Sequence, residues 1–224
     1  MKLVEREIGL EIELKENVVS VIVVENVGLR LPMIEGLYSQ VMGKEGRWLL
    51  VENEKNFDLG KMAEIILEPF SLELNNKKVK TKLYQDIKEI AQDNFFSQGL
   101  EVHSKICGFF EELFEKVPYP IQYEEDWNII ELLKAYGVQL EEAYDNLYEK
   151  IFDYISLVTH LCGIRIFIMI NIKQYLSEEQ LSELYKLAKY IKIQLVLIEF
   201  DVGKTRHDCE DVYILDKDCC IISY

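Results

Sequence analysis

The chain has 224 residues, with 40 Asp and Glu against 25 Lys and Arg, giving a formal charge of -15. Duplex binding draws its affinity from Lys and Arg, so an averaged acidic surface excludes non-specific coating of nucleic acid. A composition of 49% hydrophobic and 29% charged residues, with 4 Pro and 11 Gly, excludes disorder and suits a globular protein.

Val18 to Val24 is a continuous apolar, β-branched run, the pattern of a strand buried on both faces. Asn26-Val27-Gly28 follows, and Pro32 is expected at the first position of a helix carrying Ile34, Leu37, Tyr38, Val41 and Met42, stopped by Gly43. Arg47 to Glu52 predicts a second short strand. Leu59, Met62, Ala63, Ile66 and Leu67 recur at helical spacing, which predicts an amphipathic helix ending before Pro69.

From about Asn76 to Leu161 only helices are legible. Val79, Leu83, Ile87 and Ile90 mark the first, and Val102, Ile106, Phe109, Phe110 and Leu113 the second. A third is expected from Trp127 to Tyr136, ended by Gly137, and a fourth from Glu141 to Leu161, closed by Gly163. Ile164 to Ile170 is then a second apolar strand. Ser177-Glu178-Glu179-Gln180 is a capping box opening a helix with Leu181, Leu184, Tyr185 and Ala188. Ile193 to Phe200 predicts a third buried strand, and Val212 to Leu215 with Cys220 to Ser223 a hairpin around Asp216-Lys217-Asp218.

Strands alternating with helices imply an α/β fold with a largely parallel sheet. The expected division is an α/β body over residues 1–72 and 151–224, interrupted by an inserted helical domain over 73–150. The longest apolar stretch, Ile164 to Ile172, is too short to span a bilayer and contains Arg165, and MKLVEREIG has charges where a signal peptide needs an apolar core. A cytoplasmic protein with no membrane partner is expected. Cys107, Cys162, Cys209, Cys219 and Cys220 are odd in number and lack a C-x-x-C pair, which suits reduced thiols.

The first strand, loop and helix occupy the place of a phosphate-binding loop. Such a loop needs several Gly, then Lys and Ser/Thr; Glu25 to Pro32 has one Gly and no Lys-Ser/Thr, so nucleotide hydrolysis is not expected. The strand-end residues Asn171, Glu199 and Asp201 have magnesium-ligating side chains but are ordinary in this architecture. Gly203-Lys204-Thr205 lacks the preceding Gly and following helix and reads as a surface loop. His103 and His160 are isolated; His207-Asp208-Cys209 has no second ligand pair and also reads as a loop. No Ser or Cys stands in a nucleophile setting, so no enzyme is predicted.

Two charge features remain. Lys77, Lys78, Lys80 and Lys82 crowd the first turns of a helix, either as a solvated face or, repeated around a channel, as a phosphate-tracking surface. Residues 108–160 hold 12 Asp and Glu against 3 Lys, a net -9 of the total. Within them Glu124, Glu125 and Asp126 precede a helix. They read either as complements to its dipole or as hard oxygen ligands for calcium.

In order, the N-terminal strand with its degenerate phosphate loop, the inserted helices, the run Tyr123-Glu124-Glu125-Asp126-Trp127-Asn128-Ile129-Ile130-Glu131-Leu132-Leu133-Lys134-Ala135-Tyr136-Gly137-Val138, the helix Tyr144 to Leu161 and the strands IRIFIMIN and IQLVLIEF resemble one family. It is the small CRISPR-associated spacer-acquisition protein of type II-A systems. The resemblance covers essentially the whole length and is strongest from Tyr123 to Phe200. It implies a degenerate P-loop-NTPase-like body with a helical leg domain, and a non-catalytic homotetrameric ring that binds linear double-stranded DNA through its hole. It also implies a need for Ca2+, with Glu125 and Asp126 matching the family's acidic pair and Glu124 a third, and work beside CRISPR integrase proteins and the effector nuclease. The DNA contacts Lys77, Lys78, Lys80 and Lys82 rest on charge density. The competing readings are a DNA-stimulated NTPase and a purely structural protein-binding oligomer.

Overall fold

Two short strands not anticipated from the sequence open the body. In a computed structural model describing residues 1–201 and 207–223, β1 (Lys2–Glu5) and β2 (Leu10–Glu13) each send every second side chain inward, including Leu3, Leu10 and Ile12. Next come β3 (Val19–Val24), α1 (Val27–Val41), β4 (Trp48–Glu52) and β5 (Lys55–Phe57). β1 lies between β2 and β4, and β5 extends β4, in a four-stranded antiparallel sheet ordered β2-β1-β4-β5.

The expected helix from Leu59 to Leu67 is corrected. Only Leu59–Met62 is helical (α2), and Ala63–Ile66 forms β6. The side-chain spacing does fit a helix, but the backbone of β7 (Ile166–Ile170), buried at every position, needs a partner on its outer edge. β6 supplies it in parallel register, from Ala63 opposite Ile166 to Ile66 opposite Met169. A second correction concerns α1: Pro32 lies inside the helix, whose start is set by Asn26, the side chain of which accepts from the Gly28 N–H at 2.9 Å.

The main sheet has six strands ordered β10-β9-β3-β8-β7-β6, adding β8 (Gln194–Glu199), β9 (Glu210–Leu215) and β10 (Ile221–Ser223). All its pairings are parallel except β9 with β10, the predicted closing hairpin. One apolar cluster joins the two sheets through α1: Leu3, Leu10, Ile12, Trp48 and Leu50 from the small sheet meet Met33 and Leu37 of α1 and Ile22, Ile168, Val196 and Ile198 of the large one.

α6 (Leu147–Cys162) buries Ile151, Tyr154, Ile155 and Val158, ends at left-handed Gly163, and starts later than the expected Glu141 because Asn146 caps it by accepting from the Glu149 N–H. α7 (Glu178–Tyr190) opens with the predicted capping box of Ser177 and Gln180. The chain divides into two units, Met1–Glu73 with Ala143–Tyr224, and Leu74–Glu142. The whole of α6 therefore belongs to the body, whereas the expected boundary at 150 would have cut its first turn away.

The second unit contains α3 (Lys77–Asn94), α4 (Phe96–Phe114) and α5 (Ile129–Ala135), the last shorter than the predicted Trp127 to Tyr136. Asn75 ties its ends together, accepting from the Leu140 N–H at 2.9 Å and donating to the Leu140 carbonyl at 2.9 Å, while Tyr84 Oη donates to the Val138 carbonyl at 2.8 Å. No described helix is long and apolar enough to cross a membrane.

One polar network lies inside the body. Lys173 donates its backbone N–H to Glu199 at 3.2 Å, and its ammonium pairs with Glu210 at 2.7 Å, where Tyr185 Oη also donates at 2.6 Å. Both carboxylates are almost fully buried, and burial pushes the Glu199 carboxyl up to about 7, against the opposing pull of the Lys173 N–H and charge. Because the folded state holds this proton above the ordinary value of 4.5, stability falls as pH rises from about 4.5 to about 7 and then levels off. Glu199→Gln removes that slope and makes the protein about 2 kcal/mol more stable than wild type at pH 8, measured by urea unfolding across pH. An unchanged slope would contradict a buried, proton-holding Glu199.

Candidate functional site

At the position of a phosphate loop, the chain between β3 and α1 has only Glu25 and Asn26. Asn26 caps α1 and donates its amide to the Lys217 carbonyl at 2.8 Å. Arg30 turns back from the second turn of α1 toward the strand ends, where it donates to the carbonyls of Val24 at 3.0 Å and Phe200 at 3.1 Å, with its guanidinium 4.6 Å from the Phe200 ring centre. A phosphate cradle needs successive backbone N–H groups facing one space. Here the Gly28 N–H goes to the Asn26 side chain and the Leu29 N–H to the Asn26 carbonyl.

The candidate magnesium ligands at the strand ends are similarly engaged. Asn171, in the left-handed region at φ 52°, accepts from the Phe200 N–H, and Glu199 accepts from Lys173, while Asp201 is exposed. Gly203-Lys204-Thr205 lies outside the described residues. His207, read from sequence as part of an exposed loop, is half-buried, pairs with Glu178 at 3.0 Å and packs edge-on against Tyr185.

The lysines lie on α3, whose first turn is capped by Asn76 accepting from the Val79 N–H. Val79 is buried, while Lys78 and Lys82, four residues apart on the helix, are exposed. Lys77 is also exposed, whereas Lys80 is half-buried at the margin of the apolar stripe. α3 carries 5 Lys against 3 Asp and Glu, a local +2 in a chain of -15, and its lysine-rich end coincides with the helix N-terminus.

The acidic segment is held at both ends by aromatic packing on α4. Tyr123 lies edge-on to Phe110 at 5.5 Å and tilted on Phe114 at 5.7 Å. Trp127 covers Gly99, where an added Cβ would come within 3.2 Å of the indole, and lies 5.5 Å from the His103 ring. His103 Nε2 donates to the Glu125 carbonyl at 2.8 Å, which places a ring proton on that nitrogen, and the Cys107 sulfur lies 3.7 Å from both ring nitrogens. Glu124, Glu125 and Asp126 are thereby left exposed on a backbone fixed from below. Among the described residues no three His, Cys, Asp or Glu side chains converge as a metal-holding group, so the structure does not bring these three carboxylates together around one point. His103 escaped the sequence reading because its role depends on the fold: a lone His twenty-two residues before Glu125 carries no spacing signal.

A family model described as CRISPR-associated protein (Cas_Csn2) matches residues 40–219. The chain belongs to this CRISPR-associated family. The match spans the end of α1, the helical unit and the main-sheet strands β6 to β9, and gives this Cas_Csn2 member a CRISPR-associated role. It is 22% identical over 209 residues to a CRISPR-associated protein Csn2 of Streptococcus agalactiae, covering 91% of this chain and 90% of that one. A CRISPR-associated protein Csn2 of Enterococcus faecalis is 24% identical over 156 residues, 68% of each chain.

Among solved structures, the chain is similar to cbiO1 from Clostridium perfringens, part of the ABC transporter complex cbiONQ, with TM-score 0.50 and 16% identity over 96% of this chain and 79% of that one. It is likewise similar to the ADP conformation of MJ1267, an ATP-binding cassette of an ABC transporter, with TM-score 0.50 and 12% identity over 96% and 82%. At these identities the likeness establishes the fold, a P-loop-NTPase-like α/β body as expected, and no activity.

Proposed function

We propose that this protein is a non-catalytic homotetrameric ring that threads onto the ends of linear double-stranded DNA, without sequence preference and with calcium, during CRISPR spacer acquisition. The closed connection between β3 and α1 carries the reading. The body keeps the sheet of a nucleotide cassette, yet the place where that fold takes phosphate is filled by the Asn26 cap and the Arg30 guanidinium. Family membership supports the CRISPR setting, in which integrase proteins and the type II effector nuclease are the expected partners.

Lys77, Lys78, Lys80 and Lys82 supply the phosphate contacts, which position a duplex without reading its bases. Self-association draws on α4, a helix with no fully buried residue that leaves Phe96 and Phe109 about 60% exposed. Glu125 and Asp126, with Glu124, supply hard oxygen ligands of the kind calcium prefers, as pendant donors on the fixed segment. Neutralising part of the -9 carried by residues 108–160 lowers the repulsion between copies. An NTP-driven reading requires a nucleotide bound after Glu25, in the position that Arg30 closes.

Sedimentation and duplex-binding titrations run in parallel test the proposal. With calcium the wild type is a tetramer that binds a short linear duplex, and excess EDTA loosens the tetramer and weakens binding together, by about tenfold or more. The K77E/K78E/K80E/K82E variant keeps the tetramer and loses binding. Assembly and affinity unchanged in EDTA would contradict the calcium role, and full affinity in the variant would contradict the α3 surface.

A further inference from the structure

The turn between β9 and β10 carries two adjacent thiols, Cys219 and Cys220, and its backbone is tightly determined. Asp216 accepts on its side chain from the N–H groups of Asp218 at 2.9 Å and Cys220 at 2.8 Å, and on its carbonyl from Cys219 at 3.1 Å. Its own N–H returns to the Cys220 carbonyl at 3.0 Å. These bonds hold Cys219 at φ 63°, a left-handed conformation that costs a residue with a Cβ about 1–2 kcal/mol. The Cys219 sulfur accepts from the amide of Asn26 at 3.2 Å, so it stands beside the N-cap of α1.

The other cysteines are differently placed. Cys107, Cys162 and Cys209 are half-buried, and burial, followed by the neighbouring Glu210, pushes the Cys209 thiol up, while Cys219 and Cys220 are both exposed. The calcium and DNA readings use neither residue.

We propose that Cys219 and Cys220 form a reversible thiol-exchange site for low-molecular-weight disulfides. The Cys219 sulfur attacks one sulfur of a disulfide RSSR, forming a mixed disulfide as the RS–SR bond breaks and one RS group leaves with a proton. Cys220 then attacks the Cys219 sulfur, expels the second RS group, which also leaves with a proton, and closes a Cys219–Cys220 bond. Two protein thiols are oxidised to one disulfide, and RSSR is reduced to two RSH. Adjacent Cα atoms lie about 3.8 Å apart, below the usual disulfide span of about 4.4–6.8 Å, so the product is strained and returns readily to dithiol when RSH is in excess.

The test exposes the folded full-length chain to glutathione disulfide, quenches with acid and maps every cysteine by mass spectrometry. The expected result is loss of two hydrogens from the peptide holding both cysteines, reversed by dithiothreitol, at a rate at least about tenfold above modification of Cys107, Cys162 or Cys209. Cys220→Ser accumulates a glutathione adduct on Cys219, because no neighbouring thiol expels it. Cys219→Ser slows modification of the remaining thiol. Comparable rates at all five cysteines, or an unmodified 219–220 peptide under conditions in which the unfolded chain reacts, would overturn the proposal.

Discussion

Arg30 bridges the ends of two parallel strands that the rest of the body is built around. Its guanidinium joins the carbonyl of Val24, the last residue of β3, to that of Phe200, just past β8, and rests against the Phe200 ring. Parallel strands leave their final carbonyls unpaired at one edge, and in nucleotide-binding relatives of this fold a glycine-rich loop and its ligand stand over that edge. Here a side chain of the chain itself does so, and the connection can shrink to Glu25 and Asn26. Among the described residues, the β3–α1 connection of this cassette-like sheet forms no phosphate cradle, and Met33 and Leu37 of α1 pack between the two sheets.

Charge is distributed with similar economy. The average of -15 describes a surface that repels DNA, and 9 of those charges belong to residues 108–160. The first turns of α3 depart from that average, with exposed lysines at a capped helix N-terminus. An acidic chain with one local basic strip disfavours indiscriminate coating of a duplex and still attracts one wherever several such strips face a common space. The backbone under Glu124, Glu125 and Asp126 is fixed as well: Tyr123, His103 and Trp127 tie the segment to α4, and the three carboxylates are exposed without converging on one point.

Elements buried on both sides were legible in the sequence, because their patterns needed no partner to interpret. VSVIVV, IRIFIMI and IQLVLIEF became β3, β7 and β8, and the Ser177 capping box and the closing hairpin followed from local chemistry. β1 and β2 are four residues each, and β1 buries the charged Glu5 while its apolar Val4 is only partly covered, so no period of two stands out. β6 has helical side-chain spacing and became a strand through its pairing with β7, a tertiary demand that overrides local preference. Of the site, the residue types were visible, but their support was not. His103 reaches Glu125, and Arg30 reaches Phe200 across 170 positions, contacts that only the fold creates.

The central claim is that a duplex enters a closed ring from its end, held by phosphate contacts and without turnover of nucleotide. Competition between linear DNA and covalently closed circles of the same sequence, in calcium and moderate salt, tests this most directly. The account predicts that linear duplex displaces a bound linear probe while closed circles of equal mass compete at least about tenfold less well, and that cutting the circles once restores competition. Equal competition by closed and linear forms would contradict threading and leave binding to an open surface.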